Sequence, residues 1–299
     1  MARTLIVYLH GIGDNIMLTG VLKAYCLNHP DETIDLIVLN PGCEAIWKNN
    51  SLVDSVSVYP SSQPHFWNPV KFYLVHRPRL RRYIQKLNHD GRWRRVYFPA
   101  IQTLPEILFH ITGTYGRHKM ERICRELALP AKLHPYDLHT TEADVANAEK
   151  FLQKYEGVKL AILHPFSGHA KKRISAAGFG NILATLRAKG YTPLVVGSEA
   201  EKKQFYPSWP ADSLFGLSLG VLIEVLKRAD IFAGTDSAVA HLAAFANTPQ
   251  LIIFSPKLEP RRYVPISEHS CITIIRIKAG QEASSLEAFQ TALSRTKKF

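Results

Sequence analysis

Two α/β domains, each built on a parallel sheet, are what the sequence predicts, on three observations. Short β-forming runs alternate with helical patterns along the 299 residues. The alternation pauses once, within residues 130–158, and then restarts. Two strands end in Gly, Asp or Ser and open directly into helices, the junction at which such sheets seat their ligands. Tandem domains of this kind place a ligand cleft between the carboxyl ends of their strands.

In chain order, "TLIVYL" (residues 4–9) reads as a strand and residues 15–28 as a helix. "IDLIVLN" as a strand, a short helix near 43–49 and the strand "VDSVSVYP" continue the alternation. A basic, irregular stretch leads to the strand "RRVYFPA" and to helical patterns around 104–112 and 118–129. After "LPAKLHPYDLHTT" the second round begins, Thr141-Glu142-Ala143-Asp144 forming a capping box for a helix to about Tyr155. Strands "KLAILHPF", "YTPLVVGS", "DIFAGTD", "PQLIIFSP" and "CITIIRI" then alternate with helices at 175–189, 199–206, 218–229 and 237–246. Ser284-Ser285-Leu286-Glu287 reads as the cap of a last helix ending in "SRTKKF". The domains are expected at 1–145 and 146–283, with 284–299 a C-terminal helix that can pack back toward the first.

Composition narrows the function. With 46% hydrophobic and 21% charged residues the chain is globular, not disordered. No apolar run approaches the ~20 residues of a membrane-spanning helix, and "MARTLIVYLHGIGDN" lacks the features of a signal peptide. A cytoplasmic location is the expectation. Cys26, Cys43, Cys124 and Cys271 are far apart, which argues against a zinc site or a disulfide framework. Cys26 and Cys124 lie in helical patterns and are expected to be buried. The formal charge is +12, and residues 76–97 carry eight Arg and Lys. Such a run is either a solvated helix face or a docking patch for an anionic partner. No nucleic-acid-binding signature accompanies it, so no nucleic-acid partner is expected.

"DIFAGTDSAVAHLAAFANTPQLIIFSP" (residues 230–256) is the most informative stretch. Its strand ends in Gly234-Thr235-Asp236-Ser237 and a helix of small residues starts at Ala238, an arrangement whose free N–H groups suit a phosphate. Asp236 or Ser237 serving only as N-cap is the plainer alternative. His241, one turn in, either faces a ligand or packs. At the other end of the chain, "LIVYLHGIGDNIMLTG" sets Gly11, Gly13 and Asp14 at the mouth of the first strand. The Gly-x-Gly spacing lacks the rest of a dinucleotide fingerprint.

These two stretches resemble the signatures of glycosyltransferase family 9, the ADP-heptose:lipopolysaccharide heptosyltransferases. Asp236-Ser237-Ala238-Val239-Ala240-His241-Leu242-Ala243-Ala244, then Thr248-Pro249 and Phe254-Ser255-Pro256, follow the family's C-terminal signature. Gly13-Asp14 through Thr19 follows its Gly-Asp-x-x-x-Thr, with one extra residue before the Thr.

The resemblance implies a GT-B fold: two Rossmann-like domains facing a cleft, the acceptor on the N-terminal one and the nucleotide-sugar donor on the C-terminal one. It implies direct displacement with inversion and no required metal or other cofactor, the donor, ADP-heptose, being a substrate. Asp14 matches the base that deprotonates the acceptor. Gly11 and Gly13 give the acceptor clearance. The departing diphosphate is implied to meet helix N–H groups at Ser237 and Ala238 and a lysine, Lys172 by its place two residues before Ile174, with Lys171 the neighbouring alternative. Ser167 and Gly168 supply further phosphate contacts, and Thr235, Asp236 and His241 complete the donor seat. Glu199 matches a position that reaches the donor nucleoside, first-turn helix carboxylate being its rival role, and Leu217 matches the stretch beside the base.

The chain departs from the pattern at Ala238 and Ser255, where the family has glycine, and at Ile174-Ser175, where it has Trp-Pro. The implied acceptor is a lipopolysaccharide core or similar anionic glycan; the basic run at 76–97 then makes Arg77, Arg79, Arg81 and Arg82 the residues expected to dock it, with peripheral contact at the inner face of the inner membrane. A GT-B epimerase or hydrolase, or an inactive nucleotide-binding protein, are the competing readings.

Overall fold

A computed structural model describes residues 2–60, 77–99, 118–167, 174–209, 211–254, 260–269, 271–276 and 282–295. The chain divides into two compact units, Met1–Asp137 and Leu138–Phe299.

The first unit has four strands, β1 (Ala2–Tyr8), β2 (Glu32–Val38), β3 (Ser55–Val58) and β4 (Arg95–Tyr97). They form one parallel sheet in the order β3-β2-β1-β4. Its described helices are α1 (Ile12–Asn28), α2 (Pro41–Trp47), α3 (Arg77–Leu87) and α4 (Lys119–Glu126). β1 has five consecutive buried residues, the mark of a strand covered on both faces. α1 packs beside α2 and α4 and buries Ile16, Met17, Leu18, Val21, Leu22 and Tyr25, so it is apolar nearly all round. At Gly20 a Cβ would meet the Pro135 carbonyl oxygen at 2.3 Å, which lets residues 134–135 cross the helix directly. Thr19 Oγ1 then accepts from the Asp137 N–H at 2.9 Å, fastening the end of the unit onto α1. The helical pattern around 104–112 lies outside the described residues.

The second unit holds α5 (Glu142–Leu152), β5 (Lys159–His164), α6 (Ala176–Ala188), β6 (Tyr191–Gly197), α7 (Glu199–Lys202) and β7 (Asp212–Phe215). These are followed by α8 (Leu219–Arg228), β8 (Ile231–Thr235), α9 (Ala238–Phe245), β9 (Gln250–Phe254), β10 (Ile272–Arg276) and α10 (Glu282–Arg295). The sheet is parallel throughout, ordered β10-β9-β8-β5-β6-β7. Relative to its own first strand this is the order of dinucleotide-binding folds, and the chain reverses direction between β5 and β8.

The capping box at Thr141 and Asp144 is formed as the sequence predicts. A boundary at 145/146 cuts through α5, which packs on α8: Ser218 Oγ donates to Asp144 Oδ1 at 3.1 Å. Three element expectations change. The helix expected at 199–206 is one turn, because the capping box of Ser198 and Glu201 is followed directly by turns. The strand β7 was not foreseen: it is short, opens with polar residues, and among the described strands pairs only with β6. Finally, α10 starts at Glu282, so Ser284 lies inside the helix and is not its cap. That helix buries Phe289, Ala292 and Leu293 in the core of the second unit, beside α6 and β10.

Candidate functional site

In the first unit the polar groups gather just beyond the carboxyl end of β1, where the sheet reverses between β1 and β4. Gly11 is the N-cap of α1 and its side has open space, with nothing within 4 Å of a Cβ placed there. The turn is held by buried Asn15, whose Nδ2 donates to the His10 and Gly11 carbonyls at 3.1 and 3.0 Å. Its Oδ1 accepts from Trp47 Nε1 at 3.1 Å, tying the turn to α2.

Asp14, in the first helical turn together with Gly13, keeps its carboxylate partly exposed. Lys119 Nζ lies 2.8 Å from Asp14 Oδ1 and 3.2 Å from His10 Nδ1, and the His10 ring nitrogen is 3.8 Å from Asp14 Oδ2. Lys119 is itself buried, 6.0 Å from the centre of the Tyr8 ring. Burial, with Asp14 adding to it, pushes the Cys43 thiol up to about 12, so it remains a thiol and donates to the His10 carbonyl at 3.2 Å. Asp14 is thus a partly exposed carboxylate held beside a lysine and a histidine. A carboxylate so held can accept a proton from a substrate hydroxyl.

In the second unit the corresponding point lies beyond β5 and β8. Gly234 pairs with His164, and a Cβ there would meet the His164 carbonyl oxygen at 2.7 Å, so glycine lets the two strand ends close up. Thr235 is fully buried and donates to the Phe166 carbonyl at 2.8 Å, fixing the loop after β5. Ser237 occupies the N-cap of α9 but makes no side-chain cap; its Oγ lies 3.1 Å from His164 Nδ1 instead. The first-turn N–H groups of α9, beginning at Ala238, therefore receive no cap from Ser237 and stand at the positive end of the helix.

On the far side of the His164 ring, Nε2 is 3.5 Å from Glu201 Oε2. Burial alone would raise Glu201, but the hydrogen bond and charge of His164 and the Ser198 N–H and hydroxyl outweigh it and hold it down to about 2. Asp236, Ser167 and His241 are buried around this junction.

Glu199 is exposed at the start of α7 and reaches Gly216, where φ is +75° and a Cβ would meet Glu199 Oε1 at 2.6 Å. That brings Glu199 beside partly buried Leu217 at the edge of the same unit. Gly168, Lys171, Lys172 and Ser255 lie outside the described residues. Ser175, where Trp-Pro was the expected pattern, caps α6 by accepting from the Gly178 N–H at 3.0 Å. Trp209 packs on that helix, its ring centre 4.6 Å from that of Phe179.

The basic run of residues 76–97 splits into two parts. On α3, Leu80 and Ile84 are buried while Arg79, Arg81 and Arg82 are exposed. Arg77 opens the helix, with its side chain outside the description. Downstream, two arginines pair with acids of β2: Arg95 with Glu32 at 2.7 Å and Arg92 with Asp35 at 3.1 Å. Buried Asp35 also accepts from Arg3 at 2.8 Å and from Trp93 Nε1 at 2.7 Å. Of the helical cysteines, Cys124 is buried and Cys26 only partly so. Among the described residues, no group of three or more His, Cys, Asp and Glu is placed to hold a metal ion. No described helix is long and apolar enough to cross a membrane.

Sequence reasoning missed His10, Lys119, His164 and Glu201. His10 carried a signal, its i,i+4 spacing to Asp14, and His164 another, a polar residue closing an apolar strand.

The family model described as glycosyltransferase family 9 (heptosyltransferase) matches residues 111–292. Among curated proteins none matches significantly. Among solved structures, a glycosyl transferase family 9 protein from Veillonella parvula superposes with a TM-score of 0.73 at 17% identity, over 99% of this chain and 98% of that one. The ADP-heptose LPS heptosyltransferase II of E. coli gives 0.68 at 14% identity, over 98% and 99%. The E. coli heptosyltransferase WaaC, solved with ADP, gives 0.63 at 16%, over 98% and 99%. At these identities the likeness to the solved structures is one of fold.

Proposed function

The chain belongs to glycosyltransferase family 9, with two α/β units of the GT-B fold, and from that premise we propose that it transfers a heptose or related sugar. The donor is a nucleoside-diphosphate sugar, ADP-heptose by analogy with WaaC, which was solved with ADP. The acceptor is a lipopolysaccharide core or similar anionic glycan.

The observation that carries the proposal is Asp14, partly exposed at a strand's carboxyl end and pinned by Lys119 at 2.8 Å. In the reaction the acceptor hydroxyl oxygen bonds to the anomeric carbon as the bond from that carbon to the donor phosphate breaks. The hydroxyl proton passes to the Asp14 carboxylate, and the bonding pair leaves with the nucleoside diphosphate. Gly11, open on its outer side, and Gly13 leave room for the acceptor. The α9 N-terminus at Ser237 and Ala238, with Thr235, Asp236 and His241 behind it, receives the diphosphate. Ser167, Gly168 and Lys172, or its neighbour Lys171, add to that seat, and Glu199 and Leu217 meet the nucleoside. No metal or other cofactor enters this scheme. Arg77, Arg79, Arg81 and Arg82 on α3 dock the anionic acceptor and the inner face of the membrane that carries it, which makes the enzyme a peripheral cytoplasmic one.

Thermal denaturation with ADP-, UDP-, GDP- and CMP-sugars tests the donor. A ligand bound only by the folded state raises the melting temperature by mass action. A shift with ADP-sugars alone agrees with heptose transfer, and a preference for UDP-sugars overturns it.

A further inference from the structure

The geometry points to His164 as a positioning residue for the donor diphosphate, acting through Ser237, so that donor binding takes up a proton. This rests on the reading of the α9 N-terminus as the diphosphate seat.

His164 closes β5 and is buried, its ring edge-on to Phe166 with centres 5.6 Å apart. Among the described residues each ring nitrogen faces one partner: Nε2 lies 3.5 Å from Glu201 Oε2 and Nδ1 lies 3.1 Å from Ser237 Oγ. Glu201, held at about 2 by His164 and Ser198 against the opposing effect of burial, is ionised across the working range and can only accept. Nε2 therefore carries the hydrogen. In the neutral ring Nδ1 is then a bare lone pair, and the Ser237 hydroxyl must donate inward to it. What Ser237 presents at the mouth of α9 is then oxygen lone pairs, which repel a phosphate oxygen.

Adding one proton at Nδ1 reverses the chain. The ring now donates to Ser237 Oγ, the hydroxyl hydrogen is released to point outward, and a cation stands behind the helix N-terminus. A diphosphate carrying two negative charges selects this second state. Whatever binds one state better must shift the proton equilibrium with it, and protonation must tighten binding by the same factor. Ser237 is free to switch because it does not cap its own helix. Among the described residues, the other titratable groups near this junction are Glu199 and Lys202 on α7 and Asp236 and His241 at the β8–α9 junction, Lys159 lying at the far end of β5. All four are unchanged in a His164 variant.

The test is calorimetric. ADP-ribose, UDP-glucose and GDP-mannose are diphosphate diesters that lack the phosphate proton titrating near pH 6 in monoesters. The one that raises the melting temperature is titrated between pH 6 and 8 in two buffers of different ionisation enthalpy, which counts protons taken up. The wild type is expected to take up a fraction of a proton and to bind more tightly as pH falls, by up to about tenfold per pH unit. His164→Gln should bind with no uptake and a flat pH profile. Ser237→Ala, which keeps the ring and Glu201, should lose most of the slope, and Glu201→Gln should move it to lower pH. Binding without uptake in the wild type, or uptake that survives His164→Gln, overturns the inference and leaves the donor reading intact. If none of the three diesters binds, the donor reading itself fails.

Discussion

Asp14 is held from two directions, by Lys119 at 2.8 Å from α4 and by His10 from the strand end that precedes it. Replacing Lys119 by Met removes the clamp while leaving a stem of similar length. Turnover should fall by about 10²-fold through misplacement of the base, with donor affinity unchanged, and Arg at 119 should restore part of it. Steady-state kinetics with calorimetric donor binding separates the two. Asp35 is a different case, a buried carboxylate that joins Arg3, Arg92 and Trp93 across the first sheet. Asp35→Ala should cost about 2–3 kcal/mol in urea unfolding, less than a fully buried pair because both guanidinium groups stay partly in water.

Burial opposes the ionised form of Asp35 and Glu201, yet hydrogen bonds and neighbouring charge leave both below their usual values. For a depressed carboxylate the added stability is present above the unfolded value and lost as pH falls through the folded one. For Glu201 that window runs from 4.5 down to about 2. Glu201→Gln should therefore flatten the loss of stability over that range, which an acid series of denaturation curves reads directly. At this scale Asp14 and Ser237 were legible because each punctuates a strand end. Lys119 was not, since it stands 109 positions from His10, and no local pattern announces such a pairing.

Among the elements, the strand–helix junctions were readable and the edges of the sheets were not. β8 and α9 announce themselves by an apolar run, a Gly-Thr-Asp-Ser turn and a helix of small residues. β7 carries no such run: it is an edge strand with exposed Asp212 and Ser213, paired among the described strands to β6 alone. Likewise the start of α10 was set by packing of Phe289 and Leu293 against α6, not by the Ser-x-x-Glu spacing at 284–287. Gly234 is where local sequence and packing meet. Gly234→Ala drives a methyl into the His164 carbonyl and the Phe232 ring, each 2.7 Å away. It should destabilise the protein by about 1–3 kcal/mol and weaken donor binding, because it displaces the strand end that carries His164. Equilibrium unfolding and the donor-induced shift in melting temperature report the two effects separately.

For the whole molecule, the tandem α/β organisation was legible because the alternation of strands and helices restarts after residue 130. The distribution of its charge was not. Residues 76–97 read as one basic run, yet Arg92 and Arg95 pair with Asp35 and Glu32, while Arg79, Arg81, Arg82 and Lys86 on α3 stay exposed. Reversing Arg79, Arg81 and Arg82 to Glu should weaken sedimentation with anionic vesicles and raise the acceptor KM by at least tenfold, each arginine near an anionic surface contributing about 1 kcal/mol. The fold should be unaffected, and kcat at saturating acceptor with it.

The proposal that joins these scales is that Asp14 takes the proton of the acceptor hydroxyl during sugar transfer. Asp14→Asn, assayed for nucleoside diphosphate release in the presence of acceptor, tests it most directly. A fall in kcat of about 10²–10⁴ is expected, with donor binding retained. Turnover that survives Asp14→Asn at the wild-type rate contradicts it.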